Sequence, residues 1–120
     1  MDTFTLNGLT ILQAGAEGPA LESERDATDL IGETFGTGAE IVLVPVERLS
    51  ADFFRLETRK AGLFIQKFTN YRLKLVLLGD ISAPLAASRA LSDFVRESNR
   101  GNSVWFLPDR TALEAKLAGR

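Results

Sequence analysis

The chain has 120 residues, a formal net charge of −2, 45% hydrophobic and 25% charged residues; it is large enough to bury a core as one domain without disulfides or a structural metal. It contains no cysteine and no histidine, which excludes thiol nucleophiles, disulfides, iron–sulfur clusters and cysteine–zinc sites and removes the commonest general base near neutral pH. The slight negative charge argues for neither nucleic acid nor an anionic membrane as partner, no apolar run approaches the roughly 20 residues of a membrane span, and the start lacks the basic and apolar regions of a signal peptide, so a cytoplasmic location is expected.

Thr3–Leu6 and Leu9–Ala14 flank Asn7-Gly8, a pair suited to the positive φ angles of a type I′ turn, so the chain should open with a β-hairpin. After a small-residue connection, Ser23 with Asp26 three residues on has the form of a capping box. The helix it starts should bury Ala27, Leu30, Ile31, Thr34 and Phe35, and Gly36 and Gly38 should end it.

Ile41–Val46 is apolar at every position, as expected of a strand covered on both faces. Pro45 within it predicts that the strand ends or bulges there. Residues 50–57 read as a short turn or irregular segment. A helix follows over about 58–71, with Thr58 at its start and Ala61, Phe64, Ile65, Phe68 and Tyr71 or Arg72 along one stripe. Gly62 would let this helix approach the sheet closely.

Leu73–Leu78 is the next central strand. Ser82 is expected to cap a single helix with Pro84 in its first turn, carrying Ala87, Leu91, Phe94, Val95 and Ser98 inward and closed by Gly101. Val104–Leu107 is the last strand, with Trp105 in the core. Thr111 and Glu114 suggest a capping box for a terminal helix that buries Ala112 or Leu113 and Leu117. The fold class predicted is α/β: a mostly parallel four- to five-stranded sheet with an N-terminal hairpin and about four helices, all in one domain over residues 1–120.

Three apolar runs end in an acidic residue followed by a hydroxyl: Glu47 before Ser50, Asp80 before Ser82, and Asp109 before Thr111. Open α/β sheets bind ligands at the carboxyl ends of their strands. Three carboxylates there can bind magnesium or divide into acid and base, but each also suits a helix start, where negative charge is favoured. The capping reading is preferred, with no metal, cofactor or catalytic residue assigned. Asp52, Arg55, Thr58, Arg59 and Lys60 crowd the loop after the first central strand. A hydroxyl and free N–H groups facing outward there, amid cations, would suit an anion or a phosphoacceptor at Thr58. Candidate ligand residues are therefore Arg55, Thr58, Arg59, Glu47, Asp80 and Ser82. Phe53 and Phe54 are either core or an exposed contact patch. No Walker or dinucleotide-binding glycine pattern is present.

Ser23–Gly32, Asp52–Leu56, Gln66–Phe68 with Asn70–Arg72, Gly79–Ser82 and Asp93–Gly101 with Trp105–Pro108 resemble a family of small bacterial proteins, the domain-of-unknown-function family 4180. That resemblance supplies no activity. The order of elements also resembles the STAS domain (sulfate transporter and anti-sigma factor antagonist), with Leu56–Gly62 in the place of that fold's Asp-Ser-Ser-Gly-type turn. The second resemblance implies a phosphorylatable hydroxyl near Thr58, although this turn has no Ser-Ser pair and carries Arg59 and Lys60. Together these point to a non-enzymatic STAS-like regulatory module acting through its βα loops on a protein partner or its own copy. The alternative is a small-molecule or phosphate-binding domain, conceivably an enzyme, using Arg55, Thr58, Glu47 and Asp80.

Overall fold

A computed structural model describes residues 2–119. The opening hairpin pairs β1 (Asp2–Leu6) with β2 (Leu9–Gln13), antiparallel and with Leu6 opposite Leu9. Asn7 and Gly8 make the turn at φ 53° and 81°, the positive pair that matches the twist of the flanking strands. β3 (Ile41–Pro45), β4 (Lys74–Leu78) and β5 (Val104–Leu107) then add in parallel, giving the sheet order β1-β2-β3-β4-β5. Each strand lies beside its predecessor.

Because the strands always advance in one direction, crossovers of one hand leave their helices on one face. That face packs α1 (Glu24–Thr34), α2 (Lys60–Asn70) and α4 (Arg89–Arg100) through Leu30, Ile31, Phe64, Phe68 and Leu91 onto Val42, Val44, Leu75, Leu77 and Phe106. The alternate residues of the same strands, Ile41, Leu43, Val76 and Trp105, point the other way and meet Leu113 and Leu117 of α5 (Arg110–Ala118). All five residues of β3 are buried, as expected of a strand with both faces covered. Asn7 ties the hairpin to α5 by donating to the Leu117 carbonyl at 3.0 Å.

The first helix begins as its capping box predicts: the Ser23 hydroxyl accepts from Asp26 N–H, and the Asp26 carboxylate accepts from Ser23 N–H. Phe35 departs from expectation. It is the C-cap, in extended conformation and 69% exposed, because the helix ends at Thr34 and the chain turns off the apolar face. β3 stops at Pro45, whose ring cannot donate to a ladder, and the chain enters three single turns of 3₁₀ helix over Val46–Arg48, Ala51–Phe54 and Leu56–Thr58.

Further corrections concern helix starts. Thr58 does not begin α2; Arg59 is its N-cap, in the left-handed region at φ 65°. Gly62 is exposed and faces open space, so it gives no close approach to the sheet. Within the α2 stripe Ala61, Phe64 and Phe68 are buried, whereas Tyr71 and Arg72 are exposed. The helix expected after β4 is two, α3 (Ser82–Ala87) and α4. Ser88 breaks it by turning extended and accepting the Leu91 N–H on its hydroxyl at 3.1 Å. Ala87 is accordingly exposed. Ser82 is the first residue of α3 and not its cap. Asp109, not Thr111, caps α5, its carboxylate accepting from Ala112 N–H at 2.9 Å.

Candidate functional site

The carboxyl ends of β3 and β4 feed two polar junctions that face each other. Gly79 makes their approach possible. It sits at φ 145°, a conformation that side-chain-bearing residues rarely adopt, and a Cβ there would overlap the Cγ2 methyl of Val46. The result is an open cleft of about 330 Å³ between the 3₁₀ segment and the start of α3, lined by Val46, Leu49, Ala51, Phe54, Ile81 and Pro84, with Ser50 and Asp80 at its polar points. A second cleft, about 440 Å³, continues from it across Ala51, Phe54 and Pro84 toward Arg55, Glu57 and Ser88. A third, about 280 Å³, shares Asp80 and Ile81 and runs toward Asn99, Phe106 and Pro108. All three are open; the first and third have largely apolar walls, whereas the second is about equally polar and apolar.

The floor is rigid. Phe53 is fully buried and meets Phe54 and Phe64 edge-on, with centroids 5.5 and 5.6 Å apart; Phe64 in turn meets Phe68 at 5.3 Å. This aromatic series runs from the cleft into the core. Phe53 is therefore core, and half-buried Phe54 gives one face to the cleft.

Among the candidate polar residues, Asp80 and Ser82 come together: the Asp80 carboxylate accepts from Ser82 N–H at 2.9 Å. Hydrogen bonds from the Ser82 hydroxyl and N–H hold the Asp80 carboxyl below the usual carboxylate range. Arg55 lines the second cleft and is paired with Asp52 at 3.4 Å. Arg59 lies elsewhere, in a groove with Leu56, Leu63 and Phe94. The Lys60 ammonium turns to Glu22 of the segment before α1, at 3.0 Å. Glu47 is exposed on the first 3₁₀ turn. The Thr58 hydroxyl does not face outward as expected. It lies 2.8 Å from both the Asp52 and the Arg55 carbonyl, which share its one proton, and accepts from Lys60 N–H at 3.3 Å. These bonds close the 52–60 loop on itself, so the loop's three cations diverge from Thr58 instead of surrounding it.

Glu22 and Lys60 stabilise each other's charge. The Lys60 and Ser50 hydrogen bonds lower the Glu22 carboxyl, and the Glu22 hydrogen bond raises the Lys60 ammonium. Burial works against ionisation of Asp26, yet the N–H groups of Glu22 and Ser23 hold its carboxyl below the ordinary value. Each shift favours the charged form. A general acid or base working near neutral pH needs the opposite sense, produced by burial or a like charge. Among the described residues no group of three or more acidic side chains is placed to hold a metal ion, and no helix is long and apolar enough to cross a membrane.

Two features escaped the sequence. The apolar cleft walls come from isolated residues on two junctions, Leu49 and Ala51 on one and Ile81 and Pro84 on the other, with no shared spacing. The Asn99 amide binds both backbone groups of Phe106, accepting from its N–H at 2.7 Å and donating to its carbonyl at 3.1 Å. By sequence Asn99 is merely a residue suited to a helix exit.

The architecture defines an open α/β domain with a hairpin edge and open, partly apolar clefts at its strand ends. Residues 6–117 match the family described as a domain of unknown function, DUF4180; the chain belongs to that family. No curated protein and no solved structure matches it.

Proposed function

We propose that this protein is a non-enzymatic interaction module, STAS-like in its order of elements, that regulates a protein partner in the cytoplasm through its βα loops. The observation that carries this reading is the open apolar cleft walled by Val46, Leu49, Ala51, Phe54, Ile81 and Pro84, which continues into a more polar one toward Arg55, Glu57 and Ser88. A small polar ligand is usually held in a deeper site where several polar groups converge. Here Asp80 and Ser82 satisfy each other, Arg55 is engaged with Asp52, and the Thr58 hydroxyl is bound within its own loop. A trough of this shape suits an extended or helical protein segment that buries apolar side chains and meets a polar rim.

Ala51 is exposed on the rim, so Ala51→Glu would place a charge in the trough without disturbing the core. The tagged wild-type chain should retain one stoichiometric protein on purification from its native cells, bind it again when both are purified, and lose it in Ala51→Glu. Thr37→Glu, on the exposed loop after α1, should keep it. A small molecule retained at one equivalent by untargeted mass spectrometry, with no protein whose binding depends on Ala51, would refute the reading.

A further inference from the structure

The sheet has two edges, and the protein treats them differently. On β5 the outward backbone groups of Phe106 are taken by the Asn99 side chain, at 2.7 and 3.1 Å, and α4, which carries Asn99, packs along that strand. An incoming strand would find the Phe106 positions, in the middle of that edge, already occupied. This is one of the ways in which a sheet edge is protected.

β1 has no such cover. In a two-residue hairpin the pair next to the turn exchanges both hydrogen bonds, and the pattern then alternates. Leu6–Leu9, Phe4–Ile11 and Asp2–Gln13 are thus the bonded pairs. The Thr10 carbonyl confirms the phase, since it faces away from β1 and accepts from Glu40 N–H at 2.9 Å. The N–H and carbonyl of Thr3 and Thr5 therefore point off the edge, and among the described residues nothing takes them. Thr3 and Thr5 also expose their side chains. The strand, Asp2-Thr3-Phe4-Thr5-Leu6, has neither the lysine nor the proline that commonly blunts an edge.

We propose that β1 is the seam on which a second copy of this chain docks, strand to antiparallel strand about a two-fold axis at Phe4, joining the two sheets into one of ten strands. The register follows from the free groups. Only a centre at Phe4 sets Thr3 opposite Thr5 of the second copy on both sides of the axis, which uses all four outward groups of each chain. Centring on Thr5 leaves half of them facing the hairpin turn, and centring on Thr3 carries half beyond the described residues. In the chosen register Phe4 faces Phe4 of the second copy as a close, non-hydrogen-bonded pair, and aromatic pairs are favourable cross-strand neighbours.

The charges agree with that register. Asp2 shares a face with Phe4 and lies diagonal to Phe4 of the second copy, about 7–8 Å away and within reach of a long side chain. The Phe4 ring carries the Arg110 guanidinium 4.1 Å from its centroid. Each Asp2 carboxylate is thereby brought toward the other chain's Arg110, and the two-fold makes the contact twice. The surface is separate from the trough at the strand ends, so this inference does not depend on the function proposed above.

Sedimentation equilibrium of the full chain should give the mass of two chains at high concentration, falling toward one on dilution over about 1–500 µM, because protomer concentration sets the population. Thr3→Lys with Thr5→Lys should remain at one chain throughout, with an unchanged far-UV spectrum. Should that variant unfold, cysteine pairing decides the matter, since the chain has no cysteine of its own. A mixture of Thr3→Cys and Thr5→Cys proteins should oxidise to the mixed disulfide well above the level of either protein alone. A wild type of one-chain mass over the whole range, a two-chain mass that survives the lysine pair in a folded protein, or cysteine cross-linking with no preference for the mixed pair would overturn the proposal.

Discussion

Replacing Asn99 by alanine tests how the last strand is held. The Asn99 amide makes two hydrogen bonds to the Phe106 backbone, at 2.7 and 3.1 Å, and its own carbonyl accepts from the Lys116 ammonium at 2.9 Å. The alanine variant loses the first two and keeps the third, which belongs to the main chain. Each lost bond contributes about 0.5–1.5 kcal/mol net, and a half-buried group left without a partner costs somewhat more, so the sum is roughly 1.5–3 kcal/mol. With a urea slope of about 1–3 kcal/mol/M for a small domain, the unfolding midpoint should fall by about 1 M at an unchanged slope. Amide exchange at Phe106 should also rise above that of Leu77 in the neighbouring strand, because the outward N–H is newly open to water. Asn99→Asp should be no better than alanine at neutral pH, since a carboxylate can accept from the Phe106 N–H but presents an oxygen to its carbonyl. A midpoint within about 0.2 M of wild type, or equal protection at Phe106, would show that the clamp contributes nothing and that helix packing alone seats β5.

Three further outcomes are expected. Phe68 is fully buried against Phe64, so Phe68→Ala should lose about 3–5 kcal/mol in chemical denaturation; a loss under about 1 kcal/mol would contradict its place in the core. Gly79→Ala forces a Cβ onto Val46 in a backbone conformation unsuited to alanine, and should cost at least about 1–3 kcal/mol while shifting side-chain resonances of Val46 and Ile81; an unchanged melting temperature would mean that the junctions are less closely apposed. The carboxyls of Glu22, Asp26 and Asp80 are each held low in the folded chain, so their contribution is present at neutral pH and is lost as pH falls below about 4 through the folded values. Urea midpoints taken from pH 6 downward should decline there, less steeply in Asp26→Asn, and an equal decline in that variant would remove Asp26 from the explanation.

The elements with a strong period or a local chemical signature were legible in the sequence. The Asn7-Gly8 turn, the Ser23–Asp26 box, the unbroken apolar run of β3 and the Phe64/Phe68 stripe of α2 each encode their structure within a few neighbours. Failures cluster where a side chain chose between two backbone partners. Ser88 and Thr58 sit in stretches whose apolar spacing would allow a helix to run on or to start. In each, the hydroxyl's bond to nearby backbone groups decided otherwise, and spacing alone does not carry that competition. Asp109 likewise took the cap from Thr111, although both residues suit the position. The family assignment was legible in residues spread along the chain. The cleft walls were not, because Leu49, Ala51, Ile81 and Pro84 become neighbours only after β3 and β4 pair, and no spacing in the chain links the two junctions.

The sequential order of the strands has a consequence for how the chain acquires its shape. Every strand finds its partner in the strand made before it, and none must insert between two that are already joined. Only the hairpin is local; each parallel pairing, such as Leu12 with Val42 or Val42 with Leu75, must first close a crossover loop and is therefore the slower step. During synthesis the sheet can grow outward from the hairpin as residues emerge, with α1, α2 and α4 covering one face in step. The other face waits. Ile11, Ile41, Leu43, Val76 and Trp105 are covered by Leu113 and Leu117 of α5, which follows all five strands in the chain. Until then the nascent protein is a half-finished sandwich with a broad sticky side, the stage at which a chaperone has most to protect.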